Sequence, residues 1–350
     1  MNAEEKHSIK NLQTVAFLNF ERGGMNFDFG SVMHQQLLER RDRVAKAISS
    51  GGADAQLAAL LHEVDAALER FDSGSYGLCE VCGDTVEADR LIANPLEHFC
   101  LDHLNAVERR ALEDDISLAS RIQLKLLPDH GLRFDGWHFD YCYEPARLVS
   151  GDYVDIIQTK DTGIYFALGD ISGKGIAASM LMVNLHAVFR SLISLGLGVD
   201  QLVERAGRLF AESTLPGHYA TLIFGQLTQG GEILICNAGH PPGLLIRDGR
   251  IEPIAATGLP LGMFPEQKFS IDRLNLKNGD ALLLYTDGVL DAQNHAGEEY
   301  GMPRLINIAA VSRSMPPDKL VASCLADVST FRESTAAFDD ITMMGVRRAA

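Results

Sequence analysis

A chain of 350 residues with 46% apolar and 22% charged side chains has the apolar content to fold and the length for two or more domains. A formal net charge of −16 excludes a phosphate-coating role, which needs clustered Lys and Arg, so no direct nucleic-acid partner is expected. No run approaches the roughly eighteen apolar residues of a membrane span, and MNAEEKHSIK lacks the apolar stretch of a secretory signal; no membrane partner and a cytoplasmic location are expected.

In chain order, residues 1–30 mix Gly, Asn and charge without a sustained period and form a leader of unassigned role. From Ser31 onward, Val32, Leu37, Leu38, Val44, Ala45 and Ile48 recur at helical spacing. SSGGAD interrupts, and Leu57, Leu60, Leu61, Val64, Ala67 and Leu68 resume the pattern, predicting an antiparallel helical hairpin. FDSGSYGLCEVCGD ends the second helix in Gly and Ser and delivers Cys79 and Cys82 in a tight turn. Cys100 and His103 repeat the two-residue gap, and four such ligands on two turns form a closed tetrahedral site that favours one zinc ion. His98 lacks that spacing and reads as a surface residue. Cys142, Cys236 and Cys324 lie in apolar surroundings, as core thiols of a reducing compartment.

LNAVERRALEDDISLASRIQLKLLPD carries Leu104, Val107, Ala111, Leu112, Ile116, Ala119, Ile122 and Leu126 on one stripe, predicting one helix stopped by Pro128. It reads either as an amphipathic helix docked on its own domain or as an interdomain or dimer-forming coiled coil. Beyond residue 130 the pattern turns strand-like: WHFDYCYE, YVDIIQT, GIYFALGD, YATLIFGQL, EILICNAG, GLLIRDGRIEPI, ALLLYTDG and DDITMMGV, with hairpin signals at Gly230-Gly231 and Asp248-Gly249. Three helices interrupt: IAASMLMVNLHAVFRSLIS, apolar nearly all round and so buried on a sheet, and the more amphipathic QLVERAGRLFAES and PDKLVASCLADVSTF. The class is α+β, a sandwich of antiparallel strands with covering helices. The organisation is a leader (1–30), a helical hairpin with its zinc finger (31–105), a linker helix (106–130) and a C-terminal domain (131–348).

Asp152, Asp170, Asp287 and Asp339 each fall in or beside a short apolar run, and glycine-containing turns follow Asp170 and Asp287. Hydrolysis of a phosphate ester without a covalent intermediate needs a water made nucleophilic and charge neutralisation on the phosphoryl oxygens. Two divalent ions about 3.5–4 Å apart supply both, and Mn or Mg selects carboxylate and backbone oxygens.

LERFDSGSYGLCEVCGDTVEADRLIANPLEHFCLDH resembles the zinc-finger end of the DksA/TraR family, over roughly residues 55–105. Those proteins push a long helical hairpin with an acidic tip into RNA polymerase. Here the turn reads SSGGADAQ without paired tip aspartates, and His103 stands where the family usually has cysteine. A borrowed structural or sensing module is expected, with an RNA polymerase-binding transcription regulator as the alternative.

ASRIQLKLLPD, EPARLVSGDYVD, ALGDISGKGIAASMLM, YATLIFGQL, NAGHPPGLLI, TGLPLGM, LLLYTDGVLDA and FDDITMMGV together resemble the metal-dependent protein phosphatase family of type 2C fold, in its bacterial SpoIIE/RsbU branch, from about residue 119 onward. The resemblance implies a serine/threonine phosphatase with an αββα sandwich and two Mn or Mg ions at its edge. Asp170 would bridge both ions with the Ile171 carbonyl as a further ligand; Asp287 and Asp339 would complete the set, and Asp152 would bind directly or through ion-bound water. Strand alternation would send Asp339 and Asp340 to opposite faces, and place in the motif picks Asp339. Where eukaryotic relatives carry a histidine two residues past the bridging aspartate this chain has Ser172, which leaves the general acid unassigned. Arg147 would either clamp substrate phosphate or form a surface ion pair. Lys174 lacks the rest of a phosphate-loop pattern, and His240 reads as a structural hydrogen bonder. The implied partner is a phosphorylated anti-anti-sigma factor of STAS type, with the zinc module as regulatory input and a homodimer through the linker helix.

Overall fold

The computed structural model describes residues 19–22, 25–51, 55–103, 106–159, 163–228, 230–264, 266–333, 335 and 337–349. Two compact units divide the chain, residues 1–112 and 113–350. Of the expected leader, residues 1–18 and 23–24 lie outside the described residues, as do the helical-hairpin turn at residues 52–54 and Leu104, where the linker stripe begins.

In the first unit a short hairpin, β1 (Asn19–Arg22) and β2 (Met25–Asp28), precedes α1 (Phe29–Gly51) and α2 (Ala55–Asp72). Apolar residues at helical spacing draw the two helices together: Met33 and Leu37 of α1 share a core with Val64 and Ala67 of α2. An Arg41–Asp65 ion pair at 2.5 Å crosses between them at nearly equal distances from the turn, as antiparallel helices require. The same core runs on into Tyr76, Cys79, Val86, Leu91, Leu96 and Cys100, with α3 (Ala88–Ala93) between the cysteine turns. His98, expected at the surface, is half-buried with its ring tilted against Phe99.

Helix α4 (Ala106–Leu124) occupies the expected linker, and the division between the units falls within it. The helix ends four residues short of Pro128, because Lys125 and Leu126 donate to the carbonyls of Ile122 and Gln123 in a tightened last turn.

The second unit is a sandwich of two antiparallel sheets. One joins β3 (Arg133–Phe134), β4 (Trp137–Glu144), β9 (Gly243–Arg247), β10 (Arg250–Ile254), β12 (Ala281–Tyr285) and β13 (Ile341–Arg348) in the order β10-β9-β12-β13-β4-β3. The other joins β5 (Asp152–Gln158), β6 (Ile164–Ile171), β7 (Ala220–Leu227), β8 (Glu232–Ala238) and β11 (Asp272–Asn275) in the order β11-β8-β7-β6-β5. Strand periodicity explains why these segments read as nearly continuous apolar runs: both faces of the central strands are covered. In β6, Phe166 and Leu168 face the other sheet, where they meet Phe139, Leu282, Leu284 and Met344. Tyr165, Ala167 and Ile171 face outward under α5 (Ile176–Ile193) and α6 (Val199–Ser213). On the opposite flank Leu283, Tyr285 and Met343 lie under α8 (Gly301–Val311) and α9 (Pro317–Arg332). The result is four layers, αββα.

Helix α5 has the length and composition of a membrane span, but Ala178, Met182, Leu185, Phe189 and Ile193 are buried on the sheet. The helix is thus buried on a sheet as expected, and its opposite side is open, with Met180 68% exposed. Cys236 and Cys324 are buried as expected, whereas Cys142 is half-buried.

Candidate metal and phosphate site

The cysteine turns of the first unit build one site. Gly83, in the left-handed region at φ 72°, lets its N–H return to the Cys79 carbonyl (2.8 Å) while the Cys79 N–H reaches the Asp84 carbonyl (2.7 Å). A 3-10 turn (Leu101–His103), closed by the His103 N–H on the Cys100 carbonyl, brings the second pair over. Cys82 and Cys100 sulfurs are 3.8 Å apart, Cys100 Sγ and His103 Nδ1 3.2 Å, and ligand atoms of all four residues lie within 4.8 Å of one another. Three soft sulfurs and one imidazole nitrogen, half of the set buried in the unit's core, suit zinc. Elemental analysis should find one zinc per chain. Chelation, or Cys82→Ser, should abolish hydrogen-exchange protection across residues 74–103 and spare the sandwich; undiminished protection in the zinc-free chain would contradict this.

The second site lies at one end of the sandwich. Asp152 opens β5 and is the cross-strand partner of Asp170, the penultimate residue of β6. The other sheet supplies Asp287, first residue of the short helix α7 (Asp287–Leu290) that follows β12, and Asp339, two residues before β13. Asp339 and Asp340 therefore sit in a bend and not in the strand, and their different directions come from that bend. Asp340 turns back to accept the N–H groups of Ala146 (2.7 Å) and Gly151 (3.0 Å), bracing the loop before β5. Asp339 faces the acidic side and pairs with Lys174 at 2.9 Å. Gly288 is required for the approach of this bend: a Cβ there would lie 2.0 Å from the Asp340 carbonyl oxygen.

Two threonines beside the aspartate motifs hold the sheets in register at this end. Thr286 and Thr342 donate their hydroxyls to one Asp152 oxygen at 3.0 and 2.5 Å, and Thr342 N–H returns to Thr286 Oγ1 at 3.1 Å. Asp152 is 1% exposed. His240 makes a third link: its Nε2 lies 3.1 Å from the Tyr285 carbonyl and must donate, so Nδ1 accepts the Thr221 hydroxyl at 2.8 Å. Burial pushes this imidazole down to about 3, a neutral strut as its motif implies. Ser172, standing in the histidine position of the eukaryotic relatives, accepts the Tyr219 N–H at 2.9 Å.

The electrostatics are those of a cation site. Burial pushes the Asp170 carboxyl up to about 8, with the Asp287, Asp339 and Asp340 charges adding to it. Burial and then Asp339 raise Asp287, while burial and then Asp170 raise Asp152 well above the usual range. Asp291, not anticipated from its motif, is raised by burial and by Glu299 and Asp339. Carboxylates that burden one another in this way, with no soft donor among them, fit hard divalent ions. The aspartates are spread more widely than the cysteine set, whose ligand atoms alone, among the described residues, close within 4.8 Å of one another. Between pH 6.5 and 8, where His240 is neutral in both states, Asp170 of the folded metal-free sandwich holds a proton that the unfolded chain has released. The stability of the sandwich should fall as pH rises through that window, and Mn should bind more tightly as pH rises. Thermal melts of the sandwich at pH 6.5 and 8, with and without Mn, test this; a metal-free melting temperature that climbs between them would contradict it.

Two clefts flank Asp339. One, of about 160 Å³, is lined by Arg147, Lys174, Gly175 and Phe338 with Asp339 and Asp340. The other, of about 200 Å³, is lined by Asp291, Gln293, Glu299 and Arg332 with Asp339. Arg147 is exposed on the loop before β5, facing open solvent beside the carboxylates.

An αββα sandwich with an acidic edge fed by both sheets defines a type 2C phosphatase domain. The chain belongs to the SpoIIE family, whose description, Stage II sporulation protein E (SpoIIE), matches residues 160–349. The prokaryotic dksA/traR C4-type zinc finger matches residues 74–102, ending one residue short of His103. Phosphoserine phosphatase RsbP of Bacillus subtilis (strain 168) is 31% identical over 183 residues, 51% of this chain and 45% of that protein. The crystal structure of the RsbU and RsbW domains of Rv1364c from Mycobacterium tuberculosis is 29% identical, covering 64% of this chain and 62% of that one, with a TM-score of 0.54. The SiaA-PP2C domain of Pseudomonas aeruginosa, at 18% identity, shares the fold with a TM-score of 0.61 over 69% of this chain and 98% of that one. The chain spans less than half the length of the first curated relatives it matches.

Proposed function

We propose that the chain is a Mn- or Mg-dependent phosphatase that removes phosphate from phosphoserine or phosphothreonine on a regulatory protein, a STAS-type anti-anti-sigma factor of a cytoplasmic partner-switching pathway. The observation that carries this reading is the set of Asp152, Asp170, Asp287 and Asp339, delivered by two different sheets to one end of the sandwich and raised by burial and by one another. Asp170, the Ile171 carbonyl, Asp287 and Asp339 would hold two ions, with Asp152 fixed behind them by its threonines. When bound, the ions acidify a water and neutralise phosphoryl oxygens. The chain's own residues do the rest: Arg147, exposed at the cleft, binds the substrate phosphate, and Lys174, released from Asp339, adds a second positive charge beside it.

The zinc unit and α4 act as the input. Leu118 and Ile122, four residues apart on one face of α4, are 48 and 52% exposed, an apolar strip that supports pairing of two copies through this helix. The test is incubation of the full chain and Mn with phosphorylated STAS proteins, followed by electrophoretic mobility. Time-dependent loss of the phosphorylated band supports the reading. Retention of the band with every candidate, together with no hydrolysis of an aryl phosphate, contradicts it.

A further inference from the structure

The buried polar groups of the sandwich include one that comes from outside its sheets. Gln123, in the last turn of α4, is 3% exposed, although Ile122 and Leu124 beside it are half exposed. On an exposed helix the amide is the group taken inside and the apolar neighbours are left out, an inversion that calls for a specific partner. That partner is the backbone of Ser150: Gln123 Nε2 donates to the Ser150 carbonyl at 2.7 Å, and the Ser150 N–H donates to Gln123 Oε1 at 3.0 Å. The side chain thus pairs with one residue through both its donor and its acceptor, as a neighbouring strand would.

Ser150 is fully buried, and its hydroxyl accepts the Asp152 N–H at 3.0 Å. Between them, Gly151 donates to Asp340 at 3.0 Å and accepts from Ile171 N–H at 3.3 Å. A Cβ on Gly151 would sit 3.1 Å from the Ile171 carbonyl oxygen and 3.3 Å from Asp170 Oδ1. The three residues 150–152 therefore run directly behind the carboxylates and the carbonyl assigned to the ions. They are held by Asp340, by Thr286 and Thr342 through Asp152, by Ile171, and by Gln123. Of these, Gln123 alone belongs to α4.

We propose that Gln123 is a positioning residue that ties the end of α4 to the 150–152 turn and so sets how well the acidic edge binds its ions. The inference rests on the metal-site reading above and adds to it the point at which the linker helix acts. A shift or rotation of α4 moves the Ser150 backbone, and with it Asp152, the first residue of β5.

The test is calorimetric titration of the zinc-loaded full chain with Mn, a readout independent of turnover. Gln123→Met keeps the volume and removes both hydrogen bonds. Tyr141→Phe serves as comparison: its hydroxyl donates to the Pro128 carbonyl at 2.7 Å, so the change loosens the segment after α4 without touching residues 150–152. Gln123→Met should weaken Mn binding by about 10–100-fold, the usual scale for groups that orient ligands, and Tyr141→Phe should bind as the wild type does. Wild-type affinity in Gln123→Met, or an equal loss in Tyr141→Phe, would overturn the coupling and leave the metal site standing. Absence of Mn binding by the wild-type chain would overturn the metal-site reading and the coupling with it.

Discussion

Asp170→Asn should lower phosphatase turnover by roughly a thousandfold, the scale reached when a principal charge-stabilising group is removed from an active site. Asp170 is the carboxylate on which the other charges converge: Asp287, Asp339 and Asp340 all act on it, and it pairs across the strands with Asp152. Asparagine keeps the shape and hydrogen-bonding reach but removes the charge that holds a cation. The loss should appear in turnover at any Mn concentration. Without bound metal the same change should raise the melting temperature at pH 8, because it relieves like-charge repulsion in a buried place. Steady-state kinetics and melts of the same preparation measure both. Full activity in Asp170→Asn, or a melting temperature unchanged at pH 8, would contradict the assignment.

Arg190→Ala should be the most damaging change away from the site. Asp155, on β5, is fully buried and receives Arg190 through two bonds, Nε at 2.9 Å and Nη2 at 2.7 Å. Removal of the arginine leaves the carboxylate with the Ile156 N–H at 2.9 Å, the Tyr153 hydroxyl at 3.4 Å and His186 Nε2 at 3.5 Å, among apolar side chains. The Arg190 side chain is 45% exposed, so water can take part of its place, and stranding Asp155 costs about 2–3 kcal/mol, which in a domain of this size is a melting shift of roughly 5–10 °C. The double variant Asp155→Asn/Arg190→Ala should recover part of that loss, since the two sites share one interaction. Thermal denaturation of the three proteins gives the answer; a shift below about 2 °C for Arg190→Ala would mean that the pair contributes little.

The sandwich was readable from local pattern wherever both faces of a strand are covered. β12, and β6 as far as Gly169, are apolar without interruption because alternate residues serve two cores. β11, a polar edge strand reading DRLN, carries no such signal and passed unseen. Helix α8 was missed for another reason: GMPRLINIAAV opens with a glycine and a proline in its first turn, signs that mark a loop as readily as a helix start. The four aspartates stood out because each follows or precedes an apolar run. Thr286 and Thr342 adjoin two of those runs, yet nothing local says that both hydroxyls meet one carboxylate 134 and 190 residues earlier in the chain. Gln123 looked like one more polar residue in a helix; its partner is 27 positions away and is backbone, which no side-chain pattern reveals.

The proposed pair of divalent ions, held by aspartates of both sheets at the edge of the sandwich, is tested directly by crystals of the full chain grown with Mn. An anomalous difference map at the manganese edge should show two peaks about 3.5–4 Å apart, the pair bridged by Asp170 and completed by Asp287 and Asp339. A map with no peak among these carboxylates, at Mn concentrations that support hydrolysis, would contradict it.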